Sequence, residues 1–508
     1  ALAASDKKHH HDIFSVFFDT YDDHQNGFVF RVSSAGVQQD ERLSMGEESG
    51  DVSWDAVWES SVSIEADAWT VEMEIPFSAL RFSIAEEMQW GLNFLRQVRK
   101  LNENSYWNKI DVQKQGFLAQ SGLLKGISSI HPPVRLFLFP YVSTGLFNQY
   151  ESGKETKRWL RSGGLDIKYG LSESFTLDMT LVPDFSQVIS DNLVRNLSPF
   201  EQQLNENRPF FTEGTELFNK AGIFYSRRIG GRPSGYYGIR GAFGDTSQFE
   251  IQRNPNITTL YNAVKISGRT RNNIGIGVFN AIGAPMYAEV KNKTTGTSEK
   301  IKTESFANYN VVVLDKALHG QSNIHFANTN VIRADKGQDA NVSAFIYTKF
   351  FNNEKYRIDV QEQVSVQHVE DKLLTGTQTA LGFAKVSGKL TFNINSSFMS
   401  PQFDKRDMGI QFDFNHSMQS VSVNYNENKP VSKHLQLYRF GMYHNLAHNT
   451  QPFSFRYYET GAYYFLLFKN FWDITFSAES KPQAPIDYYQ LSDYGMKLKT
   501  YPYLYLSV

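Results

Sequence analysis

The sequence predicts an all-β protein: a β-sandwich, incomplete at its start, followed by a large antiparallel transmembrane β-barrel with an inward-folded loop. Three observations predict this class. Strand-like runs alternate apolar and polar side chains, and turn residues separate them. The aromatic share is 14% while the mean hydropathy is only −0.41. A run of about 18 apolar residues, which a membrane helix needs, is missing from the sequence, whereas barrel strands alternate and never look hydrophobic on average.

Composition narrows the classes of protein further. The chain has 508 residues, which is too long for one ordinary core, so at least two domains or one very large β-structure are expected. Its 51 basic and 53 acidic side chains give a net charge of −2, so nothing attracts it in bulk to nucleic acid. It contains 0 cysteines, which excludes disulfides, thiolate catalysis and cysteine-held metal centres.

Residues 1–131 read as the sandwich. Residues 12–21 and 28–34 are rich in Phe and β-branched side chains and flank Asn26-Gly27, a strong hairpin signal. In residues 68–75 (AWTVEMEI) apolar and polar side chains alternate, as in a half-buried strand. About six short strands with few helices favour a sandwich.

This region holds most of the tryptophans, and they have two interpretations. Trp54 and Trp58, with Asp55 between them, are candidate ligand-binding residues, because exposed rings stack on sugars and carboxylates bind hydroxyls. Trp107 belongs to the same candidate set. Trp69 and Trp90 lie on apolar strand faces and are expected to pack in the core. For Trp54 and Trp58 both interpretations stay open.

Acidic residues gather at the first hairpin. Asp19, Asp22 and Asp23 offer oxygen ligands for Ca²⁺, the only cofactor that the sequence suggests. However, His24 stands where a calcium loop needs an oxygen ligand. Turn carboxylates in contact with solvent are therefore the favoured interpretation.

Residues 132–508 read as the barrel, which we expect to have about 16 or more strands and to continue beyond residue 508. Residues 175–181 (FTLDMTL) show the alternation that lipid on one side and water on the other require. Aromatic residues cluster near strand ends, as in the interfacial girdles of such barrels. A soluble propeller would repeat a signature every 40 to 50 residues or so, and none is visible.

Residues 184–222 interrupt the strand rhythm and are predicted to fold into the lumen, followed by a strand at residues 223–229. Their charges have two interpretations. They form a network that holds the inward loop, because Arg binds carboxylates bidentately, or they line a solute path. The residues of this predicted lumenal charge network are Glu201, Arg208, Glu213, Arg227 and Arg228.

Catalytic motifs are missing from the sequence. It has no HExxH, GxSxG or phosphate-binding loop, so an enzyme is not predicted. Gly275 and Gly277 lie within a strand pattern and are no dinucleotide turn.

Two sets of motifs carry a family resemblance. The strings FFDTYDDHQNGFVFRVSSAGVQQD and DVSWDAVWESSVSIEADAWTVEMEIPFSALRF resemble a family-9-type carbohydrate-binding-module-like domain, related to the DOMON sandwiches. The motifs NLSPFE, RPFFTEG and FYSRRIG resemble those of Gram-negative outer-membrane proteins in which that sandwich precedes a β-barrel of unknown function. The resemblance implies an outer-membrane location with residues 1–131 in the periplasm.

Three functions follow as hypotheses. In the first, the barrel is a channel or uptake component for a solute or glycan. In the second, the chain is a non-catalytic accessory subunit of an outer-membrane complex that inserts or exports proteins. The third, an outer-membrane hydrolase, has no motif to support it. The expected partners are outer-membrane lipid, a glycan, and other outer-membrane or periplasmic proteins, with no nucleic acid.

Overall fold

The computed structural model describes most of the chain. The described residues are 11–43, 50–52, 54–82, 86–128, 130, 135–151, 154–172, 174–182, 201–204, 206, 208–212, 214–334, 339–369, 372–430, 432–482 and 503–507. Within them the protein is nearly all β, which confirms the predicted fold class. None of the helices in these residues has the length and the apolar character that crossing a membrane requires.

The first eight strands build a sandwich. They are β1 (Ile13–Asp19), β2 (Gly27–Ser33), β3 (Gln38–Leu43), β4 (Glu59–Ile64), β5 (Trp69–Glu74), β6 (Glu87–Val98), β7 (Glu103–Tyr106) and β8 (Gly122–Ser128). One sheet has the order β3-β2-β1-β6-β7, with β8 also on β6, and the hairpin β4-β5 forms the other. Phe28, Phe30 and Val32 on β2 pack against Val71 and Met73 on β5, as the alternation predicts.

The β1–β2 hairpin is confirmed, but its turn is longer than predicted. Strands β1 and β2 pair from Ile13 with Ser33 to Phe18 with Phe28, and Gly27 is already the first residue of β2. The connection spans residues 20–26, and Asp22 and His24 adopt φ of 50° and 61° there. The hydrogen bonds of the acidic side chains, rather than an Asn-Gly turn, shape this loop.

The remaining strands follow in chain order. They are β9 (Leu136–Glu151), β10 (Lys154–Gly170), β11 (Phe175–Leu181), β12 (Phe249–Arg253), β13 (Leu260–Arg269), β14 (Ile274–Gly283), β15 (Met286–Asn292), β16 (Ser298–Glu304), β17 (Ala307–Ala317), β18 (Asn323–Arg333), β19 (Ala340–Phe351), β20 (Tyr356–Val369), β21 (Lys372–Lys385), β22 (Leu390–Met399), β23 (His416–Glu427), β24 (Leu435–Thr450), β25 (Phe453–Phe468), β26 (Asp473–Lys481) and β27 (Tyr503–Ser507).

Sixteen of these strands form one antiparallel sheet in the described part of the chain. Its order is β27-β26-β25-β24-β23-β22-β21-β20-β19-β18-β17-β14-β13-β11-β10-β9, so neighbours in sequence are mostly neighbours in space. The predicted strand at residues 175–181 is confirmed as β11. Among the described residues the sheet is open, since β9 pairs with β10 alone and β27 with β26 alone.

The helices are short. They are α1 (Pro209–Thr212), α2 (Thr215–Phe218) and α3 (Tyr236–Phe243), with 3₁₀ turns at Phe77–Ala79, Arg99–Leu101, Leu118–Gln120 and Ser226–Arg228. Helix α3 packs on a small sheet of order β12-β15-β16 through Ile239, Ala288 and Val290. The sequence reading missed this small unit, because its strands follow the same alternation as those of the large sheet.

The two faces of the large sheet differ. Residues 201–231, here called the inserted segment, cover one face, which we call the inner face. The opposite, outer face exposes apolar side chains such as Val312, Leu314 and Phe326. Aromatic rings line the outer face near one end of the strands, for example Tyr356 stacked on Phe383 with ring centroids 6.1 Å apart.

The sandwich lies at the end of the large sheet where the connections are short. That end has the turns 270–273, 318–322, 352–355 and 386–389, whereas residues 182–259, 284–306 and 400–415 connect strands at the other end. The Gln25 side chain donates to the Ser322 carbonyl at 3.1 Å, and the Gln321 side chain donates to the Gln115 carbonyl at 3.0 Å. Gly388 donates its N–H to the Gln113 carbonyl at 2.8 Å.

One predicted strand is wrong, and a second strand-like run of the sequence forms no strand. Residues 223–229 form no strand but a chain segment with a 3₁₀ turn, in which Ile223 and Ile229 are fully buried. Residues 408–414 likewise belong to the connection between β22 and β23, and Met408 is buried against the inserted segment. Each run has apolar side chains that are buried against the inner face, and in the sequence these resemble the apolar positions of a strand.

Candidate functional site

The inserted segment covers half of the inner face with an apolar core. Phe211, Leu217, Phe218, Ile223 and Ile229 are buried together with side chains of the sheet. Their partners from the sheet are Ala263, Phe279, Ala281, Val311, Val313, Ala327, Val331, Val342 and Ala344. This half of the inner face, from β13 to β19, is therefore dry and filled.

Glycines let the inserted segment approach the sheet. A Cβ at Gly275 would lie 2.8 Å from Cδ2 of Leu217, and one at Gly277 would lie 2.9 Å from Cζ of Phe218. Real Cβ atoms do not come so close, so a larger residue at either position would force the Leu217 or Phe218 side chain to shift. Gly275 and Gly277, which form no dinucleotide-binding turn, thus have a packing role.

Glu206 is the centre of a charge network that holds the inserted segment. Its carboxylate accepts hydrogen bonds from Nε and Nη2 of Arg208 at 2.8 and 2.7 Å and from the Ser226 hydroxyl, and it lies 3.8 Å from Nε of Arg227. Arg208 also donates to the carbonyls of Ser226 and Ile229, both at 2.8 Å. The guanidinium thereby ties the start of the segment to its end.

The predicted charge network is only partly brought together. Arg208 and Arg227 meet at Glu206, which the sequence reading missed, while Arg228 forms a separate bidentate pair with Glu201 at 2.8 and 2.5 Å. Glu213 lies outside the described residues. Glu206 stands two residues before Arg208, and this spacing is the signal in the sequence that could have indicated their pairing. Spacing alone does not distinguish Glu206 from the other acidic residues nearby as the partner of Arg208.

A second charge cluster joins three parts of the molecule. Asp315 on β17 accepts hydrogen bonds from Nη2 of Arg269 at 2.7 Å and from Nζ of Lys220 at 2.6 Å. Its Oδ1 also lies 3.2 Å from Nδ1 of His325. Arg269 in turn lies 3.7 Å from Asp23 of the sandwich. Because Lys220 belongs to the inserted segment, Asp315 connects the sheet, the segment and the sandwich.

Beyond the buried Gln363, Ser365 and Met399, the inner face from β20 to β26 carries half-buried polar side chains, which we call the polar wall. Cross-strand pairs place Asn393 beside Ser422, Ser422 beside Tyr443, and Asn445 beside Glu459. These side chains are half-buried rather than sealed in a core. The polar wall comprises Asp359, Asn393, Asn395, Ser420, Ser422, Asn424, Tyr443, Asn445, Glu459, Tyr463, Ser477 and Glu479.

The candidate sugar-binding residues of the sandwich separate into two environments. Trp54 and Trp58 are each only 8% exposed and pack around Phe30 with ring centroids 5.9 and 5.2 Å away. Stacking of these two rings on a sugar is therefore wrong as an interpretation, because the core covers both faces. Asp55 is exposed. Trp107, 60% exposed, offers the open ring instead.

The carboxylates of the first hairpin brace its turn. Asp19 accepts hydrogen bonds from three backbone N–H groups at 2.7–3.3 Å, and Asp23 accepts two at 2.9 Å besides its ion pair with Arg269. Burial raises the pKa of Asp19 to about 6. The side chains within 4.8 Å of one another are Asp19, Asp22 and His24, not the predicted trio. The Ca²⁺ site stays a prediction.

The carboxyl group of Asp40 lies behind the loop that carries Trp54 and Trp58. Asp40 accepts a hydrogen bond from the Ala56 N–H at 2.6 Å, and burial raises the pKa of Asp40 from 3.8 to about 6. Between these two pKa values the Asp40 carboxyl is more protonated in the folded state than in the unfolded state. The free energy of unfolding therefore falls as the pH rises from about 4 to about 6. Because Asp40 is half-exposed, solvent screens its charge and weakens this effect. We expect the free energy of unfolding to fall by on the order of 1 kcal/mol.

Urea unfolding of the full chain in nanodiscs, followed by tryptophan fluorescence, measures this effect. The tryptophans at positions 54, 58, 69, 90 and 107 make the signal report on the sandwich. Asp40→Asn keeps an oxygen for the Ala56 N–H and removes the titration, so its unfolding midpoint changes less between pH 4.5 and pH 7. An unchanged pH slope in Asp40→Asn would contradict the assignment.

A small cavity lies where the sandwich, the inserted segment and the large sheet meet. Its volume is about 30 Å³, room for one or two water molecules and too little for a solute. Its lining residues are Tyr21, Asn26, Gly27, Phe28, Arg42, Trp54, Arg81, Leu217, Gly268 and Arg269. The junction is therefore closely packed.

Comparisons with known proteins identify a family for the second region. Residues 132–508 match the family described as Domain of unknown function (DUF5916), which is more than half of the chain. A comparison with curated proteins returns no significant match.

Solved structures give distant likenesses only. Pseudomonas aeruginosa OccK5 (OpdH) is 8% identical with a TM-score of 0.30, over 93% of this chain and 92% of that one. A BenF-like porin from Pseudomonas fluorescens Pf-5 is 7% identical with a TM-score of 0.30, over 94% of both chains. Acinetobacter baumannii OccAB4 is 7% identical with a TM-score of 0.30, over 94% of this chain and 95% of that one. At these values the likeness bears on neither mechanism nor substrate.

Proposed function

The chain belongs to the DUF5916 family through residues 132–508, and on that premise we propose that it is an outer-membrane β-barrel that passes a polar solute beside a fixed inserted segment. The single observation that carries the proposal is the division of the inner face. One half is dry and filled by the inserted segment, and the other half is a half-buried polar wall. A purely structural plug has no need of a polar wall beside it.

The outer face supports the membrane part of the proposal. Side chains such as Val312, Phe326 and Leu381 are 39–52% exposed, and so many exposed apolar side chains on one sheet face are unfavourable in water. In lipid they are favourable, and the aromatic rings near the strand ends suit the membrane interface. A sheet of this kind that closes into a barrel would leave no strand edge in the hydrocarbon.

The position of the sandwich supports its place in the periplasm. Outer-membrane barrels have short turns on the periplasmic side and longer loops outside. The sandwich contacts the short turns, through Gln321 and Ser322 among others. There it would meet a solute leaving the barrel, and the exposed Trp107 is the ring that we assign to a glycan in this carbohydrate-binding-like domain.

Ion conductance across a planar lipid bilayer tests the proposal. We expect the purified full chain to give a steady conductance, and Ser422→Trp on the polar wall to lower it. Val423→Trp is the matched control, because Val423 is the next residue on β23 and lies on the outer face. A sealed bilayer with the wild-type chain would overturn the channel.

One observation favours a second candidate. The dry half of the inner face and the two buried charge clusters hold the inserted segment as firmly as a domain core. Such a segment suits a closed anchor for an accessory subunit of an outer-membrane complex. A sealed bilayer together with a stoichiometric protein partner after mild detergent extraction would favour this candidate. Neither candidate assigns an enzymatic activity.

A further inference from the structure

We propose that the polar wall binds neutral oligosaccharides, with Tyr443 and Tyr463 as the surfaces on which sugar rings stack. This inference rests on the proposed function, because it names the solute class of the same inner face. It is separate from glycan binding by the sandwich, where the open ring is Trp107.

The two tyrosines have a rigid, reciprocal arrangement. Tyr443 on β24 lies opposite Gly461 on β25, and Tyr463 on β25 lies opposite Gly441 on β24. A Cβ at Gly461 would lie 2.5 Å from Cε1 of Tyr443, and one at Gly441 would lie 2.2 Å from Cε1 of Tyr463. Each ring therefore rests on the bare backbone of the neighbouring strand. The sheet covers one face of each ring, and both side chains stay half-buried rather than sealed in a core.

Hydrogen-bonding groups surround the rings. The Tyr463 hydroxyl donates to Oδ1 of Asn424 at 3.2 Å, which fixes the ring. Ser422 pairs across the strands with Tyr443, and Asn445 follows two residues after Tyr443 on the same face. Amides and hydroxyls both donate and accept, as the hydroxyls of a sugar do. An apolar ring face with such groups at its edge matches the faces and edges of a pyranose.

Two of the three carboxylates of the polar wall lie in ion pairs, which favours a neutral solute. Glu459 lies 3.3 Å from Nζ of Lys481, and Asp359 accepts from Nε of Arg357 at 2.6 Å. A path for phosphates or carboxylates would instead present unmatched basic groups. These pairs neutralise each other locally, so the field along the wall attracts neither ion strongly.

Current block by sugars tests the inference. Maltohexaose and cellohexaose, both neutral, are added to the conducting wild-type chain, with hexagalacturonate as the acidic comparison. We expect concentration-dependent interruptions of the current by the neutral sugars and a weaker effect of the acidic one. Tyr443→Leu and Tyr463→Leu should each weaken the block about three- to tenfold, since each removes one stacking surface.

Three variants serve as controls. Tyr463→Phe keeps the ring and should keep the block, which separates stacking from misfolding. Tyr464→Leu should change nothing, because Tyr464 is the next residue and lies on the outer face. Trp107→Ala removes the candidate ring of the sandwich and should also leave the block intact.

The outcomes distinguish this inference from the proposed function. A current that neutral sugars never interrupt, or Tyr443→Leu and Tyr463→Leu that behave as Tyr464→Leu does, would overturn the inference while the channel stands. A missing current would overturn the channel. In that case calorimetric titration of the detergent-solubilised chain with maltohexaose tests the inference. The inference would be overturned if no heat of binding were measured, or if Tyr443→Leu left that heat unchanged.

Discussion

Asp315→Asn should loosen the inserted segment and the sandwich together. The Asp315 side chain is 1% exposed and faces Arg269, Lys220 and His325 within 3.2 Å. The amide removes the charge, so Lys220 loses this carboxylate and Arg269 keeps only the more distant Asp23 at 3.7 Å. Breaking a buried ion pair in this way costs about 3–5 kcal/mol, because the remaining charge stays out of water.

Limited trypsin digestion and urea unfolding measure this effect. Lys220, Arg227 and Arg228 are cleavage sites inside the inserted segment, and we expect Asp315→Asn to expose them in the folded protein. Asp359→Asn is the matched control, since Asp359 also lies on the inner face and pairs with Arg357, but its side chain is 33% exposed. We expect that control to lose less than about 1 kcal/mol. Equal protection of both variants from trypsin would contradict the bridging role of Asp315.

Glu206→Gln should release the inserted segment from within. Glu206 neutralises Arg208, which is 5% exposed and packs its guanidinium 4.1 Å from the Phe211 ring centroid. Glutamine keeps the shape but not the charge, so Arg208 and Arg227 lose the carboxylate of Glu206. We expect the free energy of unfolding of the segment to fall by about 3 kcal/mol.

Hydrogen–deuterium exchange and conductance report on this release. Exchange in residues 208–231 should become faster in Glu206→Gln, and the bilayer conductance should rise as the segment opens. Glu201→Gln is the matched control, because Glu201 binds Arg228 with the same bidentate geometry at a side chain that is 46% exposed. Its effect should stay below about 1 kcal/mol. Faster exchange in both variants alike would show that exposure does not separate the two pairs.

The predicted charge network shows where sequence reasoning reached its limit. The lumenal position predicted for residues 184–222 stays a prediction, and residues 184–200 lie outside the described residues, although the described residues from 201 onward pack on one face of the large sheet. Which acid pairs with which arginine was not readable, because Glu206 meets Ser226 and Arg227 only after the segment turns back on itself. That pairing joins residues about twenty positions apart with no periodic relation.

Adjacent aromatic residues show the same limit on the large sheet. Tyr463 and Tyr464 are neighbours in one cluster that the sequence assigned to a membrane girdle. The structure places Tyr464 on the outer face and Tyr463 on the inner face beside Gly441. Trp54 and Trp58 show the same limit in the sandwich. Their stretch of sequence looks like a loop, but both rings are packed in the core.

The sequence by itself determined the all-β class and strands such as β11, because alternation with a period of two follows directly from strand geometry. It also located the irregular segment between β11 and β13. Only the tertiary structure decided which face of each strand is inner, and that half of the inner face is dry while half is polar. Alternation separates two faces but does not say which one meets the inserted segment, since that depends on strands and loops far apart in the chain.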